Sequence, residues 1–435
     1  VFGQAFVLAG VTGGGSLAVC RLAAEPGRRR RAQQLHAAVT AAVRFGLVAG
    51  LAISLVGTAW NDVVRRRWGL GRVVLLDELV LLLPFVAAVV LCWAAGYPAD
   101  RALRSAGPSR PWGLRRYLAF NFRHHLLVIG VPMTLILLAK DVIDRYRSGL
   151  IELIGAGWAA EASLVVVAGV VFLIAPIMVR RIWPTRPLAA GTLRDRLEQL
   201  CRRIGLRYRQ ILLWQTDRAV ANAAVMGLVG PVRYVLLSDC LVESLAERQV
   251  EAVFGHEAGH VKYHHILFYL VFAACSTLAV GAVLELLIRL GGLMLPDREL
   301  WALLMLGAIW LAGFGWISRR FERQADLFGV QCVTAGLSEE AERLGQPAPV
   351  LAAELYAVTL ERIAVLNGIG PTSRSWRHSS VASRMAFVRR CAAEPEVAAV
   401  FQRRLMMIKA VLLVGTAIGS VMGAWLYWPP AWRLW

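Results

Sequence analysis

The stretch His256-Glu257-Ala258-Gly259-His260 decides how this chain is read. Histidines at i and i+4 lie on one face of a helix, and both rings can reach a single Zn²⁺ at about 2.0–2.1 Å. Glu257 then stands beside the open coordination position, where it can take the proton from an attacking water. With only 8 histidines in 435 residues, a chance HExxH is the weaker explanation. The surrounding pattern predicts a helix that begins after Asp239 and carries Glu247 through His260. No proline or glycine cluster follows, so this helix is expected to run straight on into the next apolar segment, placing the metal at or just inside a membrane surface.

A zinc site of this kind needs a third ligand. The segment Ser318-Arg319-Arg320-Phe321-Glu322-Arg323-Gln324-Ala325-Asp326 offers Glu322 for that role. Asp326, one turn further on, is placed to accept the second ring N–H of a liganding histidine and so to set its tautomer. His264 and His265 also follow the zinc helix, but a metal held by two histidines and a glutamate keeps its fourth position for water. A structural role at the membrane border is expected for both.

At these residues the chain resembles the integral-membrane gluzincins of metallopeptidase family 48, the family of the type I CAAX prenyl endopeptidase and the bacterial protease HtpX. The resemblance runs over roughly residues 190–405, and FERQAD is closer to the CAAX-protease version. It implies one zinc per chain held by His256, His260 and Glu322, with Glu257 as general base and Asp326 behind the ligands. Asn222-Ala223-Ala224-Val225-Met226-Gly227 resembles the family's edge strand over the site, which implies substrate binding by Asn222, Ala223, Ala224 and Gly227 through backbone pairing. Arg377-His378-Ser379-Ser380-Val381-Ala382-Ser383-Arg384 resembles the family's late histidine turn. It implies an oxyanion-stabilising His378 and a substrate-binding Arg384. Ser379 and Ser383 depart from the proline and glutamate usual there.

Composition sets the compartment. A mean hydropathy of +0.56 and 57% hydrophobic residues exceed what a soluble enzyme carries, and apolar runs long enough for a bilayer recur. Spans are expected near 2–20, 39–60, 74–97, 119–139, 159–179, 266–290, 299–317 and 407–428. The first is the weakest, because Gly13-Gly14-Gly15 and the missing basic leader suit neither a span nor a signal peptide. Seven or eight spans follow.

The net charge of +19 does not point to nucleic acid, because the arginines gather at membrane borders instead of alternating with aromatics on a soluble face. Arg21 and Arg28 to Arg31 fill one loop, Arg101, Arg104, Arg110, Arg115 and Arg116 another, and Arg180, Arg181 and Arg186 follow the fifth span. The positive-inside rule puts these loops, and with them the catalytic segments, in the cytoplasm. Arg65, Arg66, Arg67 and Arg72 run against that assignment, whereas Asp297, Arg298 and Glu299 carry little bias. The 7 cysteines are odd in number, lack a CxxC pair and read as free thiols.

The expected architecture is mainly α: a polytopic helical membrane bundle with a zincin-type α+β metalloprotease domain at the cytoplasmic membrane surface. Residues 1–183 form the N-terminal bundle, 184–405 the peptidase domain interrupted by a membrane hairpin at 266–317, and 406–435 a C-terminal span. Thr192 to Ile204 is expected to be helical, Arg209 to Thr216 and Arg233 to Ser238 strands, and 350–366 and 380–391 helices, with loops at Gly345 to Pro349 and Asn367 to Ser375. The expected function is hydrolysis of membrane or membrane-associated proteins in a bacterial cytoplasmic membrane, with the bilayer and peptide substrates as partners. CAAX-type processing of lipidated substrates and a non-catalytic receptor that keeps the protease fold are the alternatives.

Overall fold

The structure is a computed structural model, and it describes residues 2–25, 27–104, 112–291, 298–373 and 376–427. Arg110, Asp297, Ser375 and Trp428, named above in loops and at a span end, lie outside the described residues. Eight of the described helices are long and apolar enough to cross a membrane: Phe2–Ala24, Arg29–Leu55, Leu76–Leu103, Leu114–Arg145, Ala159–Ile182, His265–Ile288, Leu300–Leu344 and Pro395–Gly423. Large apolar side chains stand exposed on them, among them Val165, Leu303 and Val411, as helices that face lipid require. All seven cysteines are free.

The chain divides into two compact units, one of Val1–Pro187 with Leu212–Ala219 and one of Leu188–Ile211 with Val220–Trp435. In the first, one of the glycines that weaken the opening span on paper, Gly15, is a packing surface. A Cβ on Gly15 would stand 2.8 Å from the Val39 methyl groups, so the bare backbone is what lets the first two helices close on each other. The second helix begins at Arg29, ten residues ahead of the expected apolar start, and Arg29 Nη2 donates to the Leu103 carbonyl at 2.9 Å. Next to Pro98, the Ala99 amide donates to Ser16 Oγ at 3.0 Å. Two short strands, β1 (Thr185–Pro187) and the 212–214 part of β2 (Gln210–Trp214), pair antiparallel in this unit.

In the second unit Thr192–Ile204 is helical as its amphipathic pattern requires. Strands β3 (Ala223–Met226) and β4 (Tyr234–Ser238) pair antiparallel, Ala223 opposite Leu237 and Met226 opposite Tyr234. β4 is buried throughout, while β3 ends the strand order as an edge. Ser238 closes β4 and caps the next helix, its Oγ accepting from the amides of Asn222 at 2.9 Å and Leu241 at 3.2 Å. Then come the Glu247–Lys262 helix, the His265–Gly291 helix, the Gly315–Thr334 helix, and helices at Ala348–Leu366, Val381–Ala393 and Pro395–Tyr427. A core of Ala252, Val330, Val333, Ala353, Tyr356 and Val388 lies where these helices meet.

The expectation of one uninterrupted helix from Glu247 into the sixth span is corrected here. The helix stops at Lys262, and His264 adopts φ +55, a left-handed conformation, before a new helix starts at His265. Histidine is among the few non-glycine types enriched in that conformation, so no glycine or proline was needed to end the helix.

Candidate metal centre

Two helices build the site, and small residues decide how closely they approach. Gly255 and Gly259 are four residues apart on one face of the Glu247–Lys262 helix. A Cβ on Gly255 would meet Cys332 Cβ at 2.8 Å, and one on Gly259 would meet Ala325 Cα at 3.1 Å. From the other helix, Gly329 faces the His256 amide at 3.2 Å in the same sense. This contact carries Glu322 up to the two histidines.

Among the described residues His256, His260 and Glu322 form a group that can hold a metal ion. Their ligand atoms are 3.3 Å apart between the two Nε2 atoms, 3.7 Å between His256 Nε2 and Glu322 Oε2, and 3.7 Å between His260 Nε2 and Glu322 Oε1. Tetrahedral ligands at zinc bond lengths are separated by roughly 3.3 Å, so the three donors are spaced and typed for Zn²⁺. His256 and Glu322 are buried and His260 is half-buried.

The surroundings select the ring tautomers that a metal needs. His256 Nδ1 lies 3.0 Å from Asp326 Oδ1, which leaves Nε2 free to face the ligand group. Asp326 is fully buried, yet it accepts from Tyr356 Oη at 2.7 Å and from the Arg384 guanidinium through Nε at 2.9 Å and Nη2. That bidentate fork compensates the buried carboxylate. Asp326 and Arg384 are thus brought together; Arg384 keeps 13% side-chain exposure and also holds Nη1 3.8 Å from Glu322. On the other histidine, His260 Nδ1 lies 2.8 Å from His265 Nδ1. His265 in turn donates from Nε2 to Gln324 Oε1 at 3.0 Å, an oxygen that Lys409 Nζ also approaches at 3.2 Å. His265 is fully buried and stacks on Phe321 with 4.3 Å between ring centroids.

Sequence reasoning did not reach His265, Tyr356 or Gln324 as parts of the site. His265 had been set aside as a border residue, and only the turn at His264 directs it back to His260. His264 itself is not in the ligand group.

Charge balance around the centre is uneven. Burial lifts the Glu257 carboxyl to about 7; His256 and Arg384 oppose that rise, Glu322 adds to it, and the Val225 amide opposes it more weakly. Burial and the neighbouring His256 push His260 down to about 4, so it is neutral and ready to donate electrons. Burial disfavours a charge on His256 as well, but the Asp326 carboxylate outweighs it and raises the value.

Of the other expected site residues, His378 stands 48% exposed with Nδ1 3.1 Å from Glu322 Oε2. Asn222, Ala223 and Ala224 lie on or beside β3, and Gly227 ends it at φ +109, tight against the Val232 carbonyl. The register sorts these amides. Ser238 N donates to Asn222 O at 2.9 Å, which makes 222, 224 and 226 the hydrogen-bonded positions of the pair. The amides of Ala223 and Val225 therefore point away from β4, and the Val225 amide faces the Glu257 carboxylate. Val225 was absent from the expected set, and the Ala224 amide is committed to the sheet.

Residues 187–353 match the model of peptidase family M48. CAAX prenyl protease 1 of Saccharomyces cerevisiae is 24% identical over 164 residues, 37% of this chain and 34% of that protein. The protease HtpX homolog of Aeropyrum pernix is 28% identical over 163 residues, 37% of this chain and 48% of that protein. The chain thus spans between a third and a half of the length of these curated relatives. The crystal structure of S. mikatae Ste24p superimposes with a TM-score of 0.51 at 16% identity, over 88% of this chain and 98% of that one. HEAGH, Glu322, Asp326 and the β3 segment fall inside the family match, whereas Tyr356, His378 and Arg384 follow it. Residues 187–353 are therefore similar to peptidase family M48, and they belong to a multi-pass chain with the Ste24p fold.

Proposed function

We propose that the protein is a membrane-embedded zinc endopeptidase in which His256, His260 and Glu322 hold the metal. The observation that carries this reading is the spacing of the three ligand residues, 3.3 Å between the two Nε2 atoms and 3.7 Å from each to one of the two Glu322 carboxylate oxygens, with Glu257 next to the first ligand in the chain. When bound, zinc supplies Lewis acidity to a scissile carbonyl and to water. Glu257 takes the proton from the attacking water, and its raised carboxyl suits it to pass that proton on to the leaving amine. Asp326 and His265 hold the two ligand rings in the tautomers that present Nε2. Outward amides at Ala223 and Val225 pair with an extended peptide, so cleavage follows chain conformation more than side-chain identity. His378 donates to the oxyanion from the exposed side of Glu322.

Substrates are proteins or peptides in or at the bilayer. Processing of lipidated substrates is the second reading, favoured by the match to a protein named CAAX prenyl protease 1. A receptor that merely retains the fold has no use for Glu257. The arginine-rich loops support an active site on the cytoplasmic face of the membrane, which we take to be bacterial.

Metal analysis and peptidase assays on the purified full chain test the proposal. The wild type is expected to carry one zinc, Glu322→Ala to lose it, and Glu257→Gln to keep it while losing activity by several orders of magnitude. Zinc undiminished in a folded Glu322→Ala variant, or wild-type turnover in Glu257→Gln, overturns the assignment.

A further inference from the structure

Away from the metal centre, Arg319, Arg320, Arg323 and Arg404 converge on a cavity of about 250 Å³. No carboxylate lines it. The hydrogen bonds of three of these arginines go to neutral acceptors: Arg319 to the Trp376 carbonyl at 2.8 Å, Arg320 to the Trp316 carbonyl at 3.0 Å, and Arg323 to Ser383 Oγ at 3.2 Å. Arg320 also lies over the Trp316 ring, 3.4 Å from its centroid. Arg323 also lies over the Phe387 ring, 5.0 Å from its centroid. Four guanidinium groups around one small space repel each other unless an anion sits among them.

The remaining wall is apolar. Phe401, Leu405 and Ile408 line it at positions i, i+4 and i+7 of the Pro395–Tyr427 helix, and that helix continues from there into its membrane span. The arginines of the other wall lie just after the apolar part of the seventh span. Cations at the border with a greasy wall leading into the bilayer match one ligand chemistry, a phosphodiester carrying acyl chains.

We propose that this cavity binds the headgroup phosphate of an anionic phospholipid, with the acyl chains running down the Ile408 side. Arg320 and Arg323 flank Glu322 in sequence, and Ser379 at the cavity rim follows His378, so the bound lipid ties the His378 loop to the helix that carries the third ligand.

Native mass spectrometry of the full chain in neutral detergent, titrated with phosphatidylglycerol, phosphatidylcholine or inorganic phosphate, tests this. One phosphatidylglycerol is expected to bind in clear preference to phosphatidylcholine, and Arg320→Ala/Arg404→Ala is expected to weaken it by about 10- to 30-fold. Arg404→Ala alone is expected to show a smaller loss in the same direction, which keeps the test valid where the double variant does not fold. Arg30→Ala/Arg31→Ala, a change of equal charge at another border, should leave binding within about twofold. Equal binding of phosphatidylcholine, unchanged binding in the variants of Arg404, or an equal loss in the Arg30/Arg31 variant overturns the proposal. Competition by inorganic phosphate at comparable concentration would reassign the cavity to a free anion.

Discussion

Nδ1 of His265 lies 2.8 Å from Nδ1 of the zinc-ligand candidate His260, and the pair exists because the backbone reverses at His264. Had the zinc helix continued, His265 would sit five residues along it, about 140° round the axis from His260. The left-handed residue brings it back over the ring, where Gln324 and Lys409 complete a buried polar chain.

His265→Ala is expected to lower zinc affinity by about 10- to 100-fold while leaving the ligand set complete. Competition with a chromogenic chelator measures it. His265→Gln, which retains an acceptor for the His260 N–H, should recover part of the loss. Equal losses in both variants would mean that His265 matters for packing on Phe321 and not for ring orientation.

Proton bookkeeping gives a pH profile. Glu257 must be ionised to accept a proton, so kcat/KM falls as pH drops through its value. Burial lifts that value to about 7, and a cation bound nearby lowers it. Zinc also competes with protons for His256, whose affinity for a proton is raised, so metal retention weakens as pH falls through that raised value. Rate profiles with zinc content measured at each pH separate the two limbs. A flat rate profile across the range where zinc stays bound would exclude Glu257 as the base.

The β3 register separates two proline substitutions. Val225→Pro removes an outward amide and is expected to raise KM or abolish cleavage with the fold and zinc retained, since edge positions tolerate proline. Ala224→Pro breaks the ladder to Leu236 and should lower Tm. Thermal melts beside steady-state kinetics check this, and the reverse pattern would shift the register by one residue.

His378→Ala is expected to lower kcat by about 10²–10³ with KM and zinc content little changed, the signature of an oxyanion donor. Loss of zinc instead would show that the contact with Glu322 positions the ligand.

The polytopic plan and the ligand pair were legible in the chain because both rest on local rules. Run length against bilayer thickness yields spans, and the i, i+4 spacing puts His256 and His260 on one face whatever surrounds them. Glu322 and Asp326 were legible as one helix face for the same reason. What tertiary structure decided are relations between distant residues: Tyr356 on Asp326 from 30 residues away, Arg384 on Asp326 from 58, and His265 on His260 through one left-handed residue. The glycines divided the same way: Gly13 to Gly15 read as weakness in the sequence, yet Gly15 proved to be a contact surface once Val39 was opposite it. Which amides of β3 point away from β4 depends on pairing parity. A slip of one residue exchanges every inward amide for an outward one without changing the composition of the strand, so only the fold could choose Val225 over Ala224.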